Sequence, residues 1–459
     1  MEDGARDVSP DVAIIGGGWA GCAAAVALAD AGLRVAVFEA GAVPGGRARR
    51  VVVDGLPLDN GQHLMLGAYH ETLALLRHVH GDATPPLLRR PLAIVPFGDD
   101  RNAVTVIARR APGRLGLALG LLAARGLTWR ERLANVRWMR ALERSGYARP
   151  ARETVAKMLA PLPPRVVQAL WTPLCLAALN TPIRTASAQV FATVLRAAFG
   201  RDGAASDFVI PATDLAALLP DGAVAHVRAR NGSFDLGVRA QIVAMGREGV
   251  TLGARGAPVT ARAAIVAVGP HQLAHAFAPE ALAARPDIAS AIDALDALAY
   301  EPIVTLWLGY ETSAPLASPI TRLDDAPGQW LLDRPDVLRR ALPGHPAMAQ
   351  LCAVVVSASG PHMAMTHDAL VRAVDAQLRR LRPGWPNAVW SEVIAEKRAT
   401  YACTPGRVRP AGSRLAPGLY LAGDYVDAEY PATLEAAVRS GLAAAKALLA
   451  DRGSDMRPR

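Results

Sequence analysis

Three glycines and one acid near the start of the chain have the spacing of a dinucleotide-binding turn. Gly16, Gly18 and Gly21 form a GxGxxG motif, and Glu39 follows after a second apolar run. The first glycine permits a tight turn, the second lets the backbone approach a pyrophosphate, and the third lets a helix pack closely on a strand. Glu39 is placed to accept a hydrogen bond from a ribose hydroxyl. The motif predicts a bound dinucleotide, and it fits NAD and FAD equally.

The residues directly after Glu39 distinguish these two dinucleotides. Gly45, Gly46 and Arg47 complete an ExxxxxGGR pattern, which resembles an extension found in the amine oxidase and phytoene desaturase superfamily of flavoproteins. The resemblance implies that the two glycines allow a close approach and that Arg47 pairs with the FAD phosphates. Plain nicotinamide dehydrogenases lack this extension, so we expect FAD.

A second part of the FAD site is predicted near the far end of the chain. Gly423 and Asp424 follow a short apolar run, and Pro431 precedes a helical pattern that includes Thr433 and Leu434. Proline is favoured in the first turn of a helix. The resemblance implies that Asp424 reaches the ribitol or the pyrophosphate. It also implies that the backbone N–H groups at Thr433 and Leu434 face the pyrimidine side of the flavin, where the helix dipole stabilises the reduced form.

The elements that must position these residues are strands and a helix. The pattern predicts a buried strand over residues 11–15, a helix over 23–31 and a second strand over 33–38. Residues 234–240 resemble the superfamily's adenine-contacting segment, with Ala240 as the contact. The same segment is equally typical of plain β structure.

The separation of the FAD motifs predicts a discontinuous nucleotide-binding domain. The chain has 459 residues, enough for two or three domains of about 150 residues each. We predict an α/β protein in which a Rossmann-type FAD-binding domain holds an inserted mixed α+β substrate-binding domain. The first comprises residues 1–90, 205–270 and 405–459, and the second comprises residues 91–204 and 271–404, with a helical, membrane-facing part.

The composition is that of a globular protein, with 51% hydrophobic and 20% charged residues, and it excludes a disordered or fibrous chain. The formal net charge is +9. Two explanations fit this excess of basic residues, which are mostly arginine. One is the codon bias of a GC-rich genome, and the other is a basic surface that binds an anionic membrane. No nucleic-acid motif is recognisable, so we expect no nucleic acid partner. The four cysteines show no CxxC or Cys/His clustering, which predicts a reducing compartment and no metal site.

One stretch, residues 113–152, is Arg-rich, helical in pattern and interleaved with leucine and tryptophan. Such a stretch lies in a membrane interface, or it covers the substrate domain as surface helices with snorkelling arginines. Residues 12–29 are apolar enough to resemble a membrane span, but they contain the GxGxxG glycines. With no basic signal-peptide region at the N-terminus, we expect a cytoplasmic protein attached peripherally to the inner face of the cell membrane.

Three further motifs point to one branch of the superfamily. They are DNGQH at 59–63, WTPLCLAALNTP at 171–182 and SDF at 206–208. With the FAD motifs they resemble, over residues 11–448, the squalene-associated FAD-dependent proteins of hopanoid biosynthesis, the hydroxysqualene dehydroxylases. Two positions depart from that pattern. Tyr425 stands where tryptophan is expected, and Glu429-Tyr430 stand where a small residue and leucine are more usual.

This resemblance implies a reductive dehydroxylation. Reduced flavin N5 delivers a hydride to an allylic carbon of hydroxysqualene, the hydroxyl leaves as water, and squalene forms. The electron donor that reduces the flavin is not identified by the sequence. An apolar isoprenoid substrate requires an apolar tunnel.

The leaving hydroxyl needs a proton donor. His63 is the predicted catalytic residue, and Asp427, Glu429 and Tyr430 are further candidates because they are near FAD motifs in the sequence. The alternative for His63 is a structural role, bonding the loop that packs on FAD.

Two other functions stay open. A carotenoid desaturase or a protoporphyrinogen oxidase type enzyme uses the same cofactor cradle, with hydride leaving the substrate. An isoprenoid escort protein of the Rab GDP-dissociation inhibitor type has the fold without flavin chemistry. Intact Glu39, Gly45-Gly46-Arg47 and Gly423-Asp424 favour an enzyme over a carrier.

Overall fold

The computed structural model describes residues 9–98, 100, 103–108, 115–200, 203–246, 249–407 and 409–455. Its strands are β1 (Val12–Ile15), β2 (Val35–Glu39), β3 (Arg50–Val53), β4 (Leu56–Asp59), β5 (Met65–Leu66), β6 (Leu87–Arg90), β7 (Ala93–Ile94), β8 (Val106–Ile107), β9 (Phe208–Pro211), β10 (Ser233–Leu236), β11 (Gln241–Gly246), β12 (Gly249–Ala254), β13 (Ala257–Ala261), β14 (Ala263–Val266), β15 (Tyr300–Tyr310), β16 (Ile320–Arg322), β17 (Trp330–Asp333), β18 (Gln350–Ser357), β19 (Trp390–Tyr401), β20 (Arg414–Ala416) and β21 (Leu419–Leu421).

Its α-helices are α1 (Trp19–Asp30), α2 (His70–His80), α3 (Leu115–Leu122), α4 (Trp129–Arg144), α5 (Val155–Leu159), α6 (Pro164–Val166), α7 (Thr172–Leu179), α8 (Ala188–Phe199), α9 (Leu215–Leu218), α10 (Pro220–Arg228), α11 (Pro279–Ala283), α12 (Pro286–Asp296), α13 (Pro335–Arg339), α14 (His367–Leu381) and α15 (Leu434–Asp455). A π-helical turn, Val167–Trp171, joins α6 to α7.

A six-stranded sheet in the order β10-β2-β1-β14-β21-β20 lies at the centre of the nucleotide-binding part. All neighbours are parallel except β20, which pairs antiparallel with β21. Both faces are covered, because Val12 and Ile14 pack in one core with α1 and α15, while Ala13 and Ile15 pack in another with β12. A parallel strand buried on both faces is continuously apolar, which is why β1 resembled part of a membrane span in the sequence.

This sheet confirms the predicted α/β fold with a Rossmann-type centre. Its strands come from chain segments 12–39, 233–266 and 414–421, which fall within the three ranges predicted for the FAD-binding domain. The predicted first strand is β1 and the predicted helix is α1, which begins earlier than expected, at Trp19, directly after the glycine turn. The boundaries between the domains stay a prediction.

A five-stranded antiparallel sheet, ordered β16-β17-β18-β15-β19, forms the second part of the molecule. Alternate residues of β15 point to opposite faces. Val304, Leu306 and Leu308 pack with α14, whereas Ile303 lies on the opposite side and lines a cavity. One wall of the cavity is therefore a sheet stiffened from behind by a helix.

Helices α7 and α8 line the cavity from the other side, and α4 to α6 pack in one hydrophobic core with them. α4 begins with a capping box, in which Thr128 and Glu131 satisfy each other's backbone N–H groups. The predicted helical stretch 113–152 is realised as α3 and α4; residues 113 and 114 lie outside the described part. The chain leaves the helix after Arg144, earlier than the pattern predicts, because Gly146 and Tyr147 adopt positive φ angles. Among the described residues, no helix is long and apolar enough to cross a bilayer.

Candidate active site

One cavity of about 1130 Å³ joins the two parts of the molecule. At one end it is lined by the glycine turn after β1 and by Glu39 at the end of β2. At the other end it reaches α7, α8 and the antiparallel sheet. The carboxyl ends of parallel strands are the usual place for a nucleotide in such folds.

The three glycines of the GxGxxG motif have separate roles in this geometry. A Cβ on Gly21 would lie 2.0 Å from the carbonyl oxygen of Gly16, so only glycine lets α1 pack on β1. Gly16 itself has φ +108°, a conformation that other residues rarely adopt. A Cβ on Gly18 would point into open space, with nothing nearer than Cα of Gly46 at 3.9 Å. That space lies at the N-terminus of α1, where backbone N–H groups favour a pyrophosphate.

Glu39 lines the same end of the cavity. Its two carboxylate oxygens each accept one hydrogen bond at 2.7 Å, from the backbone N–H groups of Gly17 and Gly41. These bonds fix the carboxylate, and each oxygen retains a lone pair for a ribose hydroxyl. The segment that follows β10 is held beside Glu39 by a hydrogen bond of 2.9 Å from the N–H of Val238 to the Glu39 carbonyl. Ala240 follows in the cavity wall; its adenine contact stays a prediction.

The GGR turn lies directly on the GxGxxG turn. Gly45 pairs with Gly18 in a β-bridge, and a Cβ on Gly46 would come within 3.3 Å of Cα of Gly18. The turn directs Arg47 to the middle of the cavity, where its guanidinium forms an ion pair of 2.8 Å with Asp424 and donates to the Ala399 carbonyl. Two residues predicted from opposite ends of the chain therefore meet in one site. The contact of Arg47 with phosphate stays a prediction.

Two buried polar atoms beside this ion pair have no partner in the described part of the chain. They are Oδ1 of Asp424 and the hydroxyl of Tyr425, and both residues line the cavity. A buried polar group without a partner costs about 1–3 kcal/mol, so these atoms are positioned for a polar ligand. Together with the open space at Gly18 they fit the hydroxyls and phosphates of FAD.

The start of α15 differs from its prediction. The helix begins at Leu434 rather than near Pro431, because the Thr433 hydroxyl accepts a hydrogen bond of 3.2 Å from the Ala436 N–H and caps the helix. Thr433 and Leu434 line the cavity, and their contact with the flavin stays a prediction. Glu435, which no sequence motif marks as functional, points the other way. Its carboxylate accepts hydrogen bonds from the first backbone N–H groups of α2.

His63 lies in the loop after β4 and lines the cavity. Asp59 anchors that loop, since its carboxylate accepts from the Leu215 N–H at 2.8 Å and pairs with Arg334. Burial lowers the pKa of His63 to about 4, and the charge of Arg47 acts in the same direction. At neutral pH the ring is therefore neutral. Nδ1 lies 3.0 Å from the Gly61 carbonyl, which can only accept, so Nδ1 carries the hydrogen and Nε2 is left as an acceptor.

The other proton-donor candidates have different positions. Tyr430 lines the cavity. The Asp427 carboxylate accepts from the backbone N–H groups of Glu429 and Tyr430 and pairs with Arg439 at 2.8 Å. Glu429 is exposed and faces Arg196 at 3.5 Å. The structure therefore brings His63 and Tyr430 to the cavity and uses Asp427 to hold the loop that carries Tyr430.

The far end of the cavity is an apolar lobe. Its walls are carbon-rich side chains from α7, α8, β9, the five-stranded antiparallel sheet and the segment between β6 and β7: Leu92, Leu174, Ala177, Ala178, Phe191, Val194, Leu195, Ala198, Phe199, Phe208, Ile320, Trp330, Leu332 and Val355. None of these residues carries a charge, so the lobe suits an apolar ligand. All three branch motifs contribute to the cavity, through His63, α7 and Phe208.

Away from the cavity, the described part of the chain contains a His/carboxylate group that the sequence spacing did not reveal. The Asp30 carboxylate accepts hydrogen bonds of 2.7 Å from His78 and His226, and their ligand atoms lie within 4.8 Å of one another. Arg230 also pairs with Asp30 at 3.0 Å. The two hydrogen bonds and the ion pair with Arg230 account for the position of the carboxylate. The three residues lie on different helices, which is why no local motif predicts the group.

Comparison with known proteins agrees with this geometry. Residues 19–449 match the family of flavin containing amine oxidoreductases. The chain is 28% identical to hydroxysqualene dehydroxylase from Rhodopseudomonas palustris, over 96% of this chain and 99% of the relative. It is 25% identical to hydroxysqualene dehydroxylase from Zymomonas mobilis, over 94% and 97% of the two chains. A solved oxidoreductase from Methanosarcina mazei shares the fold, with a TM-score of 0.73 at 16% identity over 94% of this chain and 98% of that one.

Proposed function

The chain belongs to the family of flavin containing amine oxidoreductases, and we propose that this FAD-dependent oxidoreductase reduces hydroxysqualene to squalene, with loss of the hydroxyl as water. The observation that carries the proposal is the single cavity that continues from the FAD cradle into an apolar lobe without a charged side chain. The curated relatives named hydroxysqualene dehydroxylase support it, because they match nearly the whole chain.

The reaction replaces a carbon–oxygen bond with a carbon–hydrogen bond, so it consumes two electrons and two protons. Reduced FAD, when bound, supplies the hydride for the allylic carbon. The chain supplies the remaining functions: it excludes water, orients the isoprenoid and delivers a proton to the leaving hydroxyl. The external reductant that restores reduced FAD is a separate partner of this proposal.

Orientation of the substrate follows from the shape and polarity of the cavity. The polar side chains Asn60, Gln62 and His63 line it near the FAD cradle, whereas the walls beyond α7 are apolar. A long hydrocarbon with one hydroxyl is stabilised when its chain fills the apolar lobe and its hydroxyl lies near the loop after β4. That places the carbon to be reduced at the boundary between the two regions.

We assign the proton to His63 within this proposal. A histidine with a pKa near 4 is protonated in a small fraction of molecules at neutral pH, but it is a strong acid when protonated. A departing hydroxyl accepts that proton from Nε2, and the Gly61 carbonyl keeps the ring in one orientation through Nδ1. Tyr430, whose phenolic hydroxyl carries a proton, is the other candidate for the proton donor in the cavity wall.

The proposal is tested by a single turnover without oxygen. The purified flavoprotein is photoreduced and mixed with hydroxysqualene in detergent, flavin absorbance is followed, and the lipid is extracted. We expect reoxidation of the flavin with one squalene formed per flavin. A flavin that stays reduced contradicts the proposal, and formation of a more unsaturated product by the oxidised enzyme would assign a desaturase instead. An Ala177→Trp variant, which narrows the apolar lobe, is the control: it should retain FAD but reoxidise only at a higher concentration of hydroxysqualene.

A further inference from the structure

The outer face of α4 carries a row of four arginines. At 100° per residue, Arg130, Arg137, Arg140 and Arg144 fall within an arc of about 80° around the helix axis. All four side chains are exposed. Within the described ranges, no carboxylate forms an ion pair with any of them, although other surface arginines such as Arg380 have one. The row is therefore a strip of positive charge about the length of the helix.

Exposed apolar side chains lie at one end of this row. Trp129, the first residue of α4, is 63% exposed, Leu119 on α3 is 43% exposed, and Ile107 at the end of β8 is 51% exposed. α3 and β8 are in contact, because a Cβ on Gly120 would lie 2.7 Å from the Ile107 carbonyl oxygen. α4 is joined to α3 by a hydrogen bond of 3.0 Å from Arg132 to the Leu122 carbonyl. α3 contains no charged residue along its whole length. We call these three residues and the four arginines the α3–α4 surface.

The inner face of α4 holds the wall of the apolar lobe. Asn135 accepts a hydrogen bond of 2.9 Å from the Trp171 indole, and the Trp138 ring lies 4.8 Å from the Trp171 ring. Trp171 ends the π-helical turn, after which Leu174 and Ala177 of α7 line the lobe. The α3–α4 surface is therefore separated from the lobe by one layer of packed side chains.

A second connection runs through the short strands. The N–H of Ala108, next to the exposed Ile107, donates a hydrogen bond of 2.8 Å to the carbonyl of Leu92. Leu92 in turn lines the apolar lobe. α4 and β8, which both carry residues of the α3–α4 surface, are thus attached to residues next to or within the wall of the lobe.

We infer that the α3–α4 surface docks on an anionic lipid bilayer and that the apolar substrate enters the lobe from that side. The arginine row matches lipid phosphates in charge, and tryptophan and leucine beside it are side chains that insert at a bilayer interface. A bilayer fits better than an acidic protein, because the surface also exposes three large apolar side chains, which a bilayer interface accommodates. The route of entry rests on the proposed function, whereas the docking itself does not.

Vesicle binding of the full-length flavoprotein tests the docking. The protein is sedimented with vesicles of pure phosphatidylglycerol and, separately, of pure phosphatidylcholine. We compare Arg137→Gln/Arg140→Gln with a matched control, Arg77→Gln/Arg372→Gln, which removes two exposed arginines from α2 and α14. At about 1 kcal/mol per arginine near an anionic surface, the first variant should bind phosphatidylglycerol about thirty-fold more weakly, and the control should bind like the parent. High salt should weaken binding of the parent.

Several results would overturn the inference. These are no binding of the parent to phosphatidylglycerol, equal binding to both lipids, or equal losses in the two double variants. Capture of the parent by an acidic protein but not by vesicles would overturn it as well. Turnover of hydroxysqualene dispersed in detergent is measured on the same proteins. Failure of every protein in that assay contradicts the proposed function and leaves the docking result intact, whereas normal turnover with lost vesicle binding supports docking.

Discussion

Gly18→Ala and Gly21→Ala should separate cofactor binding from folding, although the two substitutions add the same methyl group to one turn. At Gly18 the backbone has φ −73° and ψ −179°, which any residue adopts, and the added Cβ meets nothing within 3.8 Å. We expect the free energy of unfolding of the apoprotein to change by less than about 1 kcal/mol. The methyl group does occupy the space where the pyrophosphate approaches α1. Loss of one charge-assisted hydrogen bond there costs about 1.5–3 kcal/mol, so FAD should bind about ten- to a hundredfold more weakly.

At Gly21 the order of effects is reversed. The added Cβ would lie 2.0 Å from the Gly16 carbonyl oxygen, so α1 must move away from β1, at a cost of about 1–3 kcal/mol or more. Urea unfolding of the apoproteins gives the stabilities, and titration with FAD followed by flavin fluorescence gives the affinities. A Gly18→Ala protein that binds FAD as tightly as the parent would refute the placement of the pyrophosphate. A Gly21→Ala apoprotein as stable as the parent would refute the packing argument.

Three further predictions concern the cavity wall. Tyr425→Phe removes a buried hydroxyl without a described partner, so FAD affinity measured by titration should fall about tenfold while apoprotein stability holds or rises; unchanged affinity would show that the hydroxyl does not contact the cofactor. For His63, whose pKa is about 4, kcat should rise about tenfold per pH unit as the pH falls from 7 to 5, because the protonated fraction grows. The His63→Ala variant should retain FAD but turn over slowly and without this pH dependence. A parent enzyme whose kcat does not change with pH would remove His63 from the acid role. Ala177→Trp should raise KM for the isoprenoid at least about tenfold with FAD binding unchanged, and an unaltered KM would place the substrate elsewhere.

The FAD cradle near β1 was predictable from the sequence because its determinants are local. The GxGxxG glycines, the helix after them and Glu39 at the end of β2 follow one another within 24 residues, from Gly16 to Glu39. Their geometry depends on sterics within a single turn. The strands and α1 accordingly lie within a few residues of their predicted positions.

The arrangement of side chains from distant segments was not predictable in the same way. Arg47 was expected on the FAD phosphates, but its ion pair with Asp424 depends on the packing of β21 beside β14, which no local pattern encodes. The start of α15 moved to Leu434 because the Thr433 side chain caps it. The neutral state of His63 likewise arises from burial and from Arg47, neither of which can be read from the DNGQH motif.

The direction of hydride flow decides between a reductive dehydroxylase and a desaturase, and the isotopic mass of the product reports it. The flavoprotein is reduced in D₂O, mixed once with hydroxysqualene, and the squalene is analysed by mass spectrometry. Because the transferable hydrogen of reduced flavin exchanges with solvent before the substrate is added, we expect squalene with a single deuterium at the carbon that carried the hydroxyl. Squalene without deuterium at that carbon, or a flavin that stays reduced while hydroxysqualene is recovered unchanged, would contradict it.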